Sequence, residues 1–430
     1  METFWIATGI LVLLIIVGLP IAFAIGIASL AFVLMTSPTD LIMAPLRMFS
    51  GVNSFTLLAL PFFILAAEIM IRAGVSTRLF AWVNMLVGRV RGGLAYVNIV
   101  QSTIFGSISG AALSDIAALG KIEITAMTEN GYEKDFSCAL TAASSLQSPL
   151  IPPSSIAILY SGVMSVSVGS VLLGGAVPGI LMGLAQAVYV FLNRHRLKLP
   201  KVNQNYSVRE VWRVWRDGLV ALLMPLIILV GIVGGVFTPT EAAAVAVLYS
   251  LVAAVLIYRN VTLRDLYDAL TETVKTTAIL FLIVACAAIF SWVLSSERIP
   301  EQIARFLLGV SSNKYTLLLY VNLLLIVVGM WMESAAAIIL FAPILAPIMV
   351  KVGIHPIHFA VTMILNLVIG LVTPPVGVVL YATCKVGEIS FERLVKAMIP
   401  FILIGFVVLA VVSYVPETVL FLPRLTGLMR

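Results

Sequence analysis

Two proline-broken stretches gather the groups in this chain best suited to chemistry. They are Ser148-Pro149-Leu150-Ile151-Pro152-Pro153-Ser154 and Gly370-Leu371-Val372-Thr373-Pro374-Pro375-Val376-Gly377. Each lies inside a long apolar segment, and the proline pairs stand 222 residues apart. Proline lacks an N–H and clashes with the preceding turn, so it frees carbonyl oxygens that a helix would consume. Lipid cannot satisfy those oxygens, so such breaks survive only where they are buried or line a cavity. Freed carbonyls and hydroxyls can replace the water shell of a hard cation without any carboxylate. The first half offers Ser107, Ser109, Ser114, Ser144, Ser145, Gln147, Ser148 and Ser154; the second offers Ser334, Asn366 and Thr373. Of these, Ser107, Ser145, Ser154, Ser334 and Asn366 are candidates to face an organic substrate. Helix N-termini at the breaks would present positive dipole ends to an anion.

Other reactive side chains carry less. Asp115 and Glu333 each follow a predicted hairpin tip and open a helical arm. A carboxylate there can cap free N–H groups or hold a cation or proton, and both readings stand. His355 and His358 are three apart, with no further ligand at metal spacing, and His195 sits in a basic loop. No Ser–His pair suited to nucleophilic catalysis and no Walker loop occurs, so neither an enzyme nor an ATPase is expected. Cys138, Cys286 and Cys384 lie in or beside apolar runs and imply no disulfide framework.

The elements that must position these groups are membrane helices. The chain is 61% hydrophobic and 11% charged, with mean hydropathy +1.12. Soluble domains carry roughly a quarter charged residues. Apolar runs near 20 residues recur throughout, the signature of a polytopic all-α membrane protein. The net charge of +6 falls in loops and does not point to nucleic acid. Nine crossings are predicted: 4–35, 54–74, 135–163, 168–193, 218–237, 239–258, 273–295, 355–386 and 397–415. The third and eighth carry the proline breaks. Segments 94–128 and 315–350 are interrupted near their middles. Arms of about 14–17 residues span about 21–25 Å. A bilayer core needs about 30 Å, so each segment is predicted to be a re-entrant hairpin. Segments 75–91 and 298–311 mix basic and apolar residues and are predicted to lie along the bilayer surface.

With this layout, 19 Lys and Arg fall on one side and 7 on the other. The positive-inside rule then puts the N-terminus in the cytoplasm and the C-terminus in the periplasm. The hairpins open to opposite sides, as in inverted repeats. Residues 1–193 form the first repeat, 194–238 a basic cytoplasmic loop with a linking span, and 239–430 the second repeat. Matches at offsets of 221–222 support the pairing: Gly131 with Gly353, Tyr160 with Tyr381 and Pro178 with Pro400.

Several stretches resemble the large membrane subunit of tripartite ATP-independent periplasmic (TRAP) transporters, the DctM type. They are Gly234-Gly235-Val236-Phe237-Thr238-Pro239-Thr240-Glu241, Phe105-Gly106-Ser107-Ile108-Ser109-Gly110, Asp115-Ile116-Ala117-Ala118-Leu119-Gly120, Ile151-Pro152-Pro153-Ser154 and Asn366 through Gly377. The resemblance runs essentially end to end. It implies a sodium-driven elevator transporter in the bacterial inner membrane that moves an organic acid, with sodium as coupling ion and no other cofactor. It also implies two partners: a small four-helix membrane subunit and a periplasmic substrate-binding protein. By the same resemblance, one sodium site involves Gly106, Ser109, Ser148, Ile151 and Pro153, and a second involves Gly329, Gly370, Thr373 and Val376. Ser148 stands where relatives often have Gly before the proline, which reduces local backbone freedom. The alternative reading is a single-component sodium/dicarboxylate-type symporter, which would need no binding protein.

Overall fold

The computed structural model describes residues 2–36, 38–201, 207–311 and 313–429. Among these the regular structure is helical, with no strand. The first half runs through α1 (Glu2–Ile16), α2 (Ile21–Thr36), α3 (Met43–Val52), α4 (Ala59–Arg72), α5 (Val75–Val87), α6 (Gly93–Ser109), α7 (Ala112–Glu129), α8 (Lys134–Ser144), α9 (Ser155–Met164) and α10 (Val168–Asn193). The second runs through α11 (Val208–Val233), α12 (Pro239–Val252), α13 (Leu263–Ser296), α14 (Ile299–Val310), α15 (Lys314–Trp331), α16 (Ser334–Lys351), α17 (Pro356–Gly370), α18 (Val378–Gly387), α19 (Phe391–Tyr414) and α20 (Glu417–Leu425). The order short helix, hairpin, broken pair, long helix occurs twice, as α5–α10 and α14–α19. The long α13 occupies the place that α3 and α4 share in the first half.

Local chemistry sets several boundaries. The predicted crossing 4–35 is two helices, not one. Gly18 takes φ +89° and closes α1 with bonds from Gly18 N–H to Ile15 O and Leu19 N–H to Leu14 O. That is a Schellman stop, and Pro20 keeps the helix from resuming in line. Thr238 and Glu241 cap α12 reciprocally, with Pro239 at its first position. Thr262 and Asp265 do the same for α13. At Ala73–Gly74 the chain bends by 71° between α4 and α5. Gly74 takes φ +70° there, and the carbonyl of Ala73 accepts from Asn260 Nδ2 and from Arg78. The second hairpin differs from its prediction. Its arms are 18 residues each, long and apolar enough for either to cross a membrane. Among the described residues seven helices pass that test, or eight if the bent α4–α5 pair is one span.

The helices sort into two packed groups. In one, α2 and α3 lie on α13, α4 lies on α12 and α13, and α5 lies on α11. In the other, α6, α7 and α8 pack together, α15 packs on α17, α8 and α10 pack on α19, and α7 packs on α18. The groups meet most extensively where α5 lies on α6, and also where α4 touches α6 and α9 and where α13 touches α16. We call the first group the frame and the second the core bundle.

Candidate functional site

In the first half the hairpin tip is seated on the proline break. α6 ends at Ser109, and Gly110 turns the chain with φ +63°, its N–H bonded to Gly106 O at 2.8 Å. A Cβ on Gly110 would lie 2.9 Å from the Pro153 carbonyl oxygen, and one on Gly106 would lie 2.6 Å from Ser148 Cα. Only glycine permits that approach. Ser148 Oγ donates to Asp115 Oδ2 at 3.0 Å, which ties the break to the second arm. Past the break, Ala157 N–H donates to Ser154 Oγ at 3.1 Å, and Ser154 Oγ itself donates to Pro149 O at 2.5 Å. Among the described residues no backbone N–H donates to the carbonyls of Ser148, Leu150, Ile151, Pro152 or Pro153. Ser109 Oγ and Asp115 Oδ1 are buried and without a partner.

The second half repeats the arrangement with different side chains. A Cβ on Gly370 would lie 2.5 Å from the Gly329 backbone, so α15 and α17 touch main chain to main chain. Gly377, at φ +59°, donates its N–H to Met330 O at 3.2 Å and closes break on tip. Thr373 Oγ1 donates to Ile369 O at 2.8 Å, which leaves its lone pairs free. Among the described residues no backbone N–H donates to the carbonyls of Val372 through Val376. Both proline pairs, Pro152-Pro153 and Pro374-Pro375, are cis. Glu333 Oε2 accepts from Ala335 N–H at 2.8 Å and Ala336 N–H at 3.4 Å, so this carboxylate caps α16. Asp115 caps nothing. Ala111 is the extended residue before α7, so Asp115 falls at the end of the first turn, and its Oδ2 is taken by Ser148 Oγ and not by a backbone N–H.

The residues expected around sodium therefore gather in two groups: Gly106, Ser109, Ser148, Ile151 and Pro153 at one tip, Gly329, Gly370, Thr373 and Val376 at the other. Among the described residues the carbonyls of Ser148, Ile151, Pro153 and Val376 have no backbone N–H donor, whereas Gly106 O accepts from Gly110 N–H and Gly370 O from Thr373 N–H; neutral oxygens of this kind can coordinate a monovalent cation.

A chamber of about 510 Å³ lies between frame and core bundle. Both tips open on it through Ser109, Ala111 and Ser114 of the first and Glu333, Ala335 and Ala336 of the second. The start of α9 adds Ser155 and Leu159, and the frame contributes Ile21, Leu60, Glu68, Thr276 and Leu280. The five residues expected to face a substrate lie off this wall in the present arrangement. Ser107 donates to Ile104 O and Ser145 to Ala142 O at 2.9 Å, and Ser154 serves as the α9 cap. Asn366 Nδ2 donates to Asn322 O at 3.0 Å, inside the core bundle. Ser334 is buried just behind Glu333. Short hydroxyls satisfied by their own helix do not point outward, which composition at a break does not reveal.

The same chamber contains groups that spacing did not single out: Glu68, Ser155 and Thr276. Ser155 was one residue from the expected Ser154, and the N-cap geometry decided between them. Glu68 and Thr276 sit on the frame, far in sequence from either break. His355 accepts from Ile357 N–H as the α17 cap, and His358 Nε2 bonds to Val412 O at 2.8 Å. Among the described residues no three His, Cys, Asp or Glu gather as a metal cluster.

Comparison with known proteins agrees along the whole chain. Residues 8–418 match the family "Tripartite ATP-independent periplasmic transporter, DctM component". The sialic acid TRAP transporter large permease protein SiaM of Vibrio cholerae is 40% identical over 96% of this chain and 96% of its own length. The C4-dicarboxylate TRAP transporter large permease protein DctM of Pseudomonas aeruginosa is 37% identical, covering 94% and 95%. In fold, the YdaH transporter of Alcanivorax borkumensis superposes with a TM-score of 0.58 over 87% of this chain and 88% of its own, at 15% identity. Polytopic helices, paired tips and breaks, and this end-to-end match lead to one conclusion: the chain belongs to the DctM family, the large permease component of TRAP transporters, and is a multi-pass inner-membrane protein.

Proposed function

We propose that this permease imports an organic acid in symport with sodium, and that the core bundle carries the substrate past the frame as an elevator. One observation supports this reading above the others: two hairpin tips, each seated on a proline break with freed carbonyls, border one chamber between the frame and the core bundle. Sodium at the first pair would be held by Ser109 and carbonyls of Gly106, Ser148, Ile151 and Pro153. Sodium at the second would be held by Thr373 and carbonyls of Gly329, Gly370 and Val376. Each ion would lock a tip onto its break and complete the chamber wall for the anion, so ion and substrate binding would favour each other. The two halves are read as inverted repeats, with the N-terminus cytoplasmic and the C-terminus periplasmic. The small membrane subunit would brace the frame, and the periplasmic protein would deliver substrate to the outward face. Relatives named for sialic acid and for C4-dicarboxylates support a small organic acid as the cargo.

The test is uptake by vesicles holding both membrane subunits and supplied with the loaded binding protein. An inward sodium gradient should drive uptake. Thr373→Val should weaken the sodium dependence much more than Thr316→Val at a peripheral position. Full uptake on a proton gradient without sodium would overturn the coupling.

A further inference from the structure

Frame and core bundle touch along α4 and α9. On one side of that contact lies the chamber, bordered by Leu60 and Ile64 of α4 and by Ser155 and Leu159 of α9. On the other side lies a second cleft of about 560 Å³. Ser54 and Thr56 of the frame line it, with Ser161, Gly162 and Ser165 of the bundle. On the orientation proposed above, this cleft faces the periplasm.

Leu57 sits in the seam between the two spaces. A Cβ on Gly162 would lie 2.6 Å from Leu57 Cδ2 and 3.0 Å from its Cγ, so the leucine fills the notch that the glycine leaves. Leu57 is 1% exposed, and close packing gives it little room to turn aside. Gly162 lies inside α9 without a positive φ, so its backbone would accept alanine. What excludes a side chain there is Leu57. The frame holds the leucine in place. Leu57 N–H donates to Ser54 O at 3.1 Å, and Thr240 Oγ1 of α12 donates to Phe55 O at 3.0 Å. The knob thus belongs to the frame and the notch to the bundle. Packed contacts of this kind are made or lost as a unit and do not stretch continuously.

We infer that Leu57 seated against Gly162 is a latch: it seals the chamber from the second cleft, and the seat must empty before the chamber can face that cleft. This rests on the proposed movement of the bundle past the frame.

The test uses the full chain in vesicles of defined sidedness, freed of Cys138, Cys286 and Cys384. Ser114→Cys reports on the chamber through labelling by impermeant maleimide, and Ser165→Cys, exposed in the cleft, marks the cleft's side of the membrane. Leu57→Ala and Gly162→Ala should each raise chamber labelling from the cleft's side at least about threefold. Combined, they should return it to within about twofold of the original, because the methyl at 162 refills space that the leucine leaves. A double variant no closer to the original than the singles overturns the knob-in-notch assignment. Leu57 Cγ is 3.0 Å from the would-be Cβ, so Cβ atoms at 57 and 162 fall within about 4.5 Å, inside disulfide reach. Oxidised Leu57→Cys/Gly162→Cys should therefore link and lose chamber labelling from the cleft's side, and reductant should restore it. Labelling unmoved by either alanine, with the link still blocking it, overturns the latch and leaves the movement standing. A linked protein labelled from the cleft's side at the unlinked rate overturns both. No link in a protein that melts normally overturns the seat. Should Gly162→Ala fail to fold, Leu57→Ala and the link still decide.

Discussion

At the scale of single residues, a close constraint at the second site is the contact between Gly329 and Gly370. A methyl group at 370 would lie 2.5 Å from backbone atoms, which cannot rotate aside. Gly370→Ala must therefore push the second tip off its break. Overpacking of this kind costs about 1–3 kcal/mol. The expected readout is a lower melting temperature together with loss of the extra stability that sodium confers on a binding-competent protein. Gly9 has nothing within 4 Å of its would-be Cβ. Gly9→Ala should be neutral or stabilising by up to about 1 kcal/mol, since alanine is the better helix former. A Gly370→Ala protein with unaltered melting and unaltered sodium response would show that the contact is dispensable. Asp115 and Glu333 teach a related lesson. Both follow a hairpin interruption, but one lies at the end of its helix's first turn and the other at its cap. That difference comes from the Gly110 turn and the extended Ala111, which a residue count does not reveal.

At the scale of elements, the hairpins and broken helices were legible because proline and glycine act locally. The breaks at 148–154 and 370–377, the turns near 110 and 332, and the helices at 75–87 and 299–310 all fall where local signals put them. The first crossing was misread because an apolar run hides a Schellman stop when only hydropathy is followed. The second hairpin's 18-residue arms leave its re-entrant placement to experiment. Ser114 and Ala335 lie on opposite tips and face one chamber. In a background freed of Cys138, Cys286 and Cys384, Ser114→Cys and Ala335→Cys should each be labelled by impermeant maleimide from either side of the membrane. Sodium should shift the ratio between the sides. Labelling of both positions from one side alone, under every sodium condition, would rule out a moving chamber.

At the scale of the whole molecule, the frame presents a broad apolar surface. Leu219, Leu223, Leu226 and Val230 of α11 are exposed, as are Leu248 of α12 and Val274 of α13. Lipid can cover such a face, and so can another membrane subunit. In the proposed elevator, a frame that stays still while the bundle moves would gain from such a brace. Vesicles holding both membrane subunits should therefore take up substrate with the loaded periplasmic protein and show little uptake of free substrate without it. Equal rates in the two conditions would favour the single-component symporter.

The sequence by itself determined that this is a polytopic helical membrane protein, where its helices break, and which neutral oxygens those breaks release. Proline, glycine and apolar run length act over a few residues, so these features need no distant partner. Family membership was legible for the same reason, since its motifs are contiguous. Only the tertiary structure decided which tip meets which break, that Ser148 binds Asp115, and that Ser107 and Ser145 bond back to carbonyls of the preceding turn. It also brought Glu68 and Thr276 of the frame to a chamber whose other walls come from residues up to 268 positions away. Those outcomes depend on side-chain direction and on packing between distant helices, and neither is encoded in local spacing.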